Sequence, residues 1–167
     1  MIYLIWLLRI IHIVAGVFWV GGTLIMTVFV GPTIGATGES GQRFVGHLMN
    51  NLKFSNRMSI AAGLTIVAGF ILYWIDSQGF TSAWMSSGAG RGFGIGAAFA
   101  FIGFIFGIMI GRTTKAMAQL GAQMQGKPSP NQLAQMQTIQ KRQATYSMIA
   151  AAALVLATVF MAVARYL

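Results

Sequence analysis

The segment "RIIHIVAGVFWVGG" holds the residues most able to do chemistry. Arg9 and His12 sit one helical turn apart inside an apolar N-terminal run. Steps of four and three residues place Ile5, Arg9, His12, Gly16, Trp19, Thr23, Met26 and Val30 along one helix stripe. Leu7, Leu8, Ile11, Val14, Phe18 and Ile25 fall on the other side. An ionisable side chain in a bilayer costs ~2.5–3.5 kcal/mol on insertion scales and ordinarily faces the bundle interior beside a partner. Arg9 and His12 are therefore expected on the inner face and the aliphatic positions in lipid.

A neutral imidazole in such a place has two uses. It can bond to a neighbouring helix, or it can ligate a metal, with haem iron the usual partner of a single histidine in an apolar four-helix bundle. For haem b, His12 supplies the axial nitrogen, and Gly16 leaves room for a flat macrocycle. Trp19 closes the apolar edge, Arg9 meets a propionate by a charge-assisted pair, and Met161 is the candidate second axial ligand. The plain alternatives are that Arg9 snorkels to the interface and Trp19 is ordinary core. His47 is the other histidine, but it precedes span two by about eleven residues, which places it ~15 Å beyond the inner face at 1.5 Å per residue. It is not expected to share a metal with His12.

Other chemistries lack their residues. Glu39 and Asp76 are the whole carboxylate complement, so paired-carboxylate catalysis and a proton relay have no basis. Asp76 is read either as a salt-bridge partner of Arg9 or Arg91 or as a helix-end surface charge. With no cysteine in the chain, disulfides, iron–sulfur clusters and thioether haem attachment are excluded. Eleven methionines and two histidines could serve Cu(I), yet they form no M-x-x-M or H-x-H cluster.

These residues are carried by a membrane chain. Of 167 residues, 56% are hydrophobic and 8% charged, against roughly 25% charged in a soluble domain, and the mean hydropathy is +0.72. Apolar runs at about 2–30, 58–75, 92–111 and 146–164 approach or exceed the ~20 residues needed to cross the hydrocarbon core. The opening "MIYLIWLL" lacks the charged start and short core of a secretory signal, so no cleavage is expected. The net charge of +9 reads as topology rather than nucleic-acid binding. Arg43, Lys53 and Arg57 lie between spans one and two, and Arg112, Lys115, Lys127, Lys141 and Arg142 between spans three and four. The positive-inside rule then puts both termini outside, with a bacterial plasma (inner) membrane as the expected location.

The connections add detail. "GPT" at Gly31 to Thr33 is expected to end span one. From Ser40, Phe44, Val45, Leu48, Leu52 and Phe54 suggest an amphipathic helix running into span two. Residues 76–92 read as an outer loop with Trp84 at the interface, and the glycines from Gly88 to Gly96 lack the strand that a dinucleotide loop requires. Gly103, Gly107 and Gly111, continued by Gly96 and Ala100, form a small-residue face for helix packing. After a break at "GKPSP", Ser129 is the expected N-cap of a helix with Pro130 in its first turn. The expected fold is all-α: one membrane domain over 1–167, a four-helix bundle with long cytoplasmic extensions of helices two, three and four.

His12 followed by Trp19 and "VGG" in "LLRIIHIVAGVFWVGGTL" resembles the first span of the copper-resistance-D-like membrane superfamily. That superfamily includes small four-span proteins and lies near the membrane protoporphyrinogen oxidases that bind haem b. The layout of Arg57 and Tyr73 and the terminal "KRQATYSMIAAAALVLATVFMAVARYL" are similar in texture. The resemblance implies a four-span fold with His12 as haem or metal ligand. The later spans lack the lysine of those oxidases and a second histidine, so porphyrinogen oxidation is not implied. The resulting expectation is a haem b membrane protein for electron transfer or redox sensing. The alternatives are a cofactor-free accessory or assembly subunit of a respiratory or photosynthetic complex, and copper import. In each case the chain is expected to dimerise or to join a larger membrane complex.

Overall fold

The computed structural model describes residues 2–124 and 128–167, which include no strand. Four helical stretches, Ile2–Thr37, Phe54–Asp76, Gly88–Gln123 and Pro130–Tyr166, are each long and apolar enough to cross a membrane. The chain is a multi-pass, all-α membrane bundle.

The first stretch is composite. Helix α1 (Ile2–Ile25) passes through a π-helical turn at Met26–Val30 into α2 (Gly31–Thr37). The expected stop at "GPT" is thus not a stop. In the wider turn the Gly31 N–H reaches back to the Met26 carbonyl, and Pro32, which has no N–H to place, falls in the first turn of α2, where none is needed. The chain leaves the helix instead at Gly38, whose φ of 54° favours a residue without Cβ. Thr23, Thr27, Thr33 and Thr37 each bond their hydroxyl to the carbonyl four residues earlier, so these side chains need no polar neighbour.

Helix α3 (Glu39–Asn50) is amphipathic, but it is a separate helix from α4 (Phe54–Asp76), so span two lacks the expected long extension, and the 36-residue stretch Ile2–Thr37 of span one has it instead. Asn51 and Leu52 both donate to the His47 carbonyl, and Lys53 adopts a left-handed conformation, φ 50°, which turns the chain before span two. Helices α5 (Gly88–Gln123) and α6 (Pro130–Val163) are 36 and 34 residues long. Ser87 caps α5. Ser129 and Gln132 form a reciprocal capping box on α6, with Pro130 in the first turn as its sequence leads one to expect. Gly126 and Lys127 of the expected break lie outside the described residues.

Neighbours in sequence are neighbours in space: α1 packs chiefly on α4, and α5 on α6, while the two pairs meet along α1–α6 and α4–α5. The core is made mostly of small residues, Ala61, Ala62, Ala150, Ala153 and Ala157 among them, with Leu8, Trp19, Leu120 and Leu154 as the large members. Small side chains let helices approach closely where lipid provides no hydrophobic drive. Gly103 shows the tightness, since a Cβ there would stand 2.7 Å from Leu154 Cδ2. At the Asp76 end, Tyr73, Trp74, Phe80, Trp84 and Phe93 form an aromatic cluster with ring centroids 5.0–6.3 Å apart, as interfacial rings do.

Candidate functional site around His12

The α1–α4 seam positions His12. Its Nδ1 lies 2.8 Å from the Thr65 carbonyl oxygen. A carbonyl only accepts, so Nδ1 carries the proton, and in the neutral ring Nε2 keeps its lone pair. The approach is possible because residue 69 is glycine. A Cβ at Gly69 would stand 2.7 Å from His12 Cε1 and 2.9 Å from Nδ1. The Thr65 hydroxyl donates to the Ala61 carbonyl, and the Thr65 carbonyl, inside α4, meets the imidazole with its second lone pair. Nε2 has no hydrogen bond to any described residue.

The inner stripe of α1 differs from the expected one. Leu8 is 8% exposed, and Arg9 lies on the exposed surface. The seam passes through Leu8, His12, Ala15, Trp19 and Gly22, with the 3.5-residue period of paired helices, because Ala15 and Trp19 pack with Ala61 and Ala62 while Gly22 lies against Met58. This register rotates Leu8 in and Arg9 out, and the outward-facing guanidinium finds no carboxylate: Asp76 is exposed, and the one ion pair among the described residues joins Arg43 to Glu39 at 2.6 Å. Asp76 is a helix-end surface charge.

The other expected haem contacts do not gather around His12. Gly16, expected to open a slot, is covered by Thr65, whose Cγ2 would lie 3.5 Å from a Cβ at that position. Trp19, 4% exposed, fills the centre of the bundle against Ala61, Ala62 and Leu154, with its ring edge-on to Phe104 of α5 at 6.4 Å. Met161 lies over Gly96 of α5, its Cε 3.3 Å from where a Cβ would stand. His12 therefore points into the α1–α4 seam and Met161 into the α5–α6 seam, so the two do not face a common iron. His47 is exposed in the last turn of α3, at the opposite end of the bundle from His12. Among the described residues no three histidine or carboxylate side chains come together to hold a metal ion. His12 has the tautomer of a ligand, but the set Arg9, His12, Gly16, Trp19 and Met161 does not frame a porphyrin within one chain.

No protein-family model matches the chain, and no curated protein or solved structure is significantly similar to it.

Thr65 and Gly69 lie on span two level with His12, but any helical residue offers a carbonyl, so their role had no sequence signal beyond that shared depth. The burial of Leu8 had no such signal, because an inward and an outward leucine look alike in sequence.

Proposed function

We propose that this chain is a cofactor-free accessory or assembly subunit of a larger membrane complex, anchored by the bundle and docking through its α5–α6 hairpin. The observation that carries the proposal is length. At 1.5 Å per residue, α5 and α6 run ~54 and ~51 Å against a ~30 Å hydrocarbon core, so about 20 Å of paired helix extends beyond that core, through the headgroups and past them. The projecting part exposes Arg112, Lys115, Lys141 and Arg142, and neither helix contains a carboxylate. That surface suits a partner of negative charge. The basic end faces the cytoplasm and both termini face outward in the plasma membrane, by the positive-inside rule.

A second reading is favoured by one observation, the free Nε2 of His12, held in the tautomer of an axial ligand by the Thr65 carbonyl. It makes His12 a candidate axial ligand of the kind that its first-span resemblance implies, for a haem b shared with a second subunit, since the residues of one chain do not frame a porphyrin. Copper import has no comparable support: among the described residues no three histidine or carboxylate side chains come together.

The test is purification of the full chain from its own membranes in mild detergent. Under the first reading it is colourless and migrates on a native gel with a larger assembly. The four-fold variant Arg112→Gln, Lys115→Gln, Lys141→Gln, Arg142→Gln, which keeps Arg43, Lys53 and Arg57 for orientation, migrates as the free chain with unchanged helicity. A dithionite-reduced b-type spectrum that His12→Ala abolishes would overturn this reading in favour of the second.

A further inference from the structure

Arg57 stands in an uneven charge balance. It lies one turn inside α4 and lines an apolar groove of about 490 Å³ on the outer face of the α1–α4 pair, together with Ile10, Val14, Phe18, Ile60 and Leu64. The two carboxylates of the chain are out of its reach. Glu39 is paired with Arg43, and Asp76 lies nineteen residues further along α4, ~28 Å at 1.5 Å per residue. No salt bridge to Arg57 exists among the described residues.

Depth decides what can balance it. Helix α4 has 23 residues, about one bilayer thickness, so a residue in its first turn stands at headgroup level. From there the groove runs obliquely along the span, past Ile60 to Leu64 on α4 and then past Phe18 and Val14 to Ile10 on α1; with Gly22 level with Met58 and His12 level with Gly69, Ile10 stands ~20 Å from Arg57 along the helix axes. Its wall is almost wholly apolar. Lys53, exposed at the turn into α4, adds a second cation at the same end. A cation at the headgroup plane beside a shallow, open apolar groove suits a phosphate monoanion joined to an acyl chain.

We propose that this groove is a binding site for an anionic phospholipid, with the phosphate on the Arg57 guanidinium and one acyl chain between α1 and α4. A guanidinium fork binds two phosphate oxygens at once, and the groove walls replace neighbouring lipid against the upper part of the chain. The site is independent of His12 and of the hairpin surface.

Native mass spectrometry of the delipidated full chain tests this, with dioleoyl phosphatidylglycerol and dioleoyl phosphatidylcholine offered at equal concentration. We expect one phosphatidylglycerol retained with about fivefold preference, one basic group's share of headgroup attraction. Arg57→Gln should remove the preference, while Arg112→Gln, away from the groove, should keep it. Val14→Trp, at a position 64% exposed and outside the core, should block the channel and lower retention with unchanged helicity. Equal retention of both lipids by the wild-type chain, or the same preference in Arg57→Gln, would overturn the proposal. Complete displacement of phosphatidylglycerol by millimolar inorganic phosphate would also overturn it, because the site would then read the anion alone.

Discussion

His12 and Thr65 are joined across the α1–α4 seam, with Nδ1–H donating to the carbonyl oxygen at 2.8 Å. In lipid a polar cross-link of this kind contributes about 0.6–1.7 kcal/mol, since the separated helices find other partners. His12→Ala should therefore lower stability in detergent unfolding by about 1–2 kcal/mol, including the lost packing against Gly69. A variant as stable as wild type would show that the bond carries nothing.

Gly69 and His12 should behave as a unit. A methyl at 69 would stand within 3 Å of the imidazole and displace it, so Gly69→Ala should cost about as much as His12→Ala. In the double variant the ring is gone and the methyl is harmless, so the two losses should fall well short of adding in a double-mutant cycle. Simple additivity would mean that the ring does not depend on residue 69.

Trp19 should be the most costly single truncation in the membrane core. It fills the space between α1, α4, α5 and α6, and aromatic-to-alanine changes in cores cost about 3–5 kcal/mol. Trp19→Ala should lower the unfolding midpoint more than any change on the outer face of α1, with Val14→Ala as the comparison.

The glycines of α5 should divide into two classes. Gly103 faces Leu154 with no room for a Cβ, whereas Gly107 has nothing within 4 Å. Gly103→Ala should destabilise the α5–α6 pair. Gly107→Ala should be neutral or stabilising by up to about 1 kcal/mol through helix propensity. The same loss at both sites would indicate that Gly107 is covered by a second copy or another subunit.

Much of this architecture was legible in the sequence. Four apolar runs gave four spans because length and hydropathy are set by the bilayer itself, and Ser129 with Pro130 marked the start of α6 through local chemistry alone. Pro32 misled, because its missing N–H can be absorbed by a π turn as well as by a helix end. Lys53 gave no sign of its left-handed turn, a conformation imposed by the junction of two helices rather than by residue type. On the candidate site, His12 stood out as an ionisable group in an apolar run, whereas its partners Thr65 and Gly69 were fixed only by the packing of α1 on α4. The face of α1 was displaced by one residue at Leu8 and Arg9, since a helical stripe read from one sequence has no partner helix to fix its rotation. The expected union of His12 with Met161 failed for a related reason: equal depth does not bring two side chains into the same seam.

The pairing of α1 with α4 and of α5 with α6 makes the chain two helical hairpins in series. Each hairpin completes its main interface from consecutive spans, so the first can be assembled before the second has been synthesised. Residues 77–87, between the hairpins, join two units that each hold their own largest contact. A chain cut there keeps both interfaces intact within its fragments, and the α1–α6 and α4–α5 contacts remain to bring the halves together.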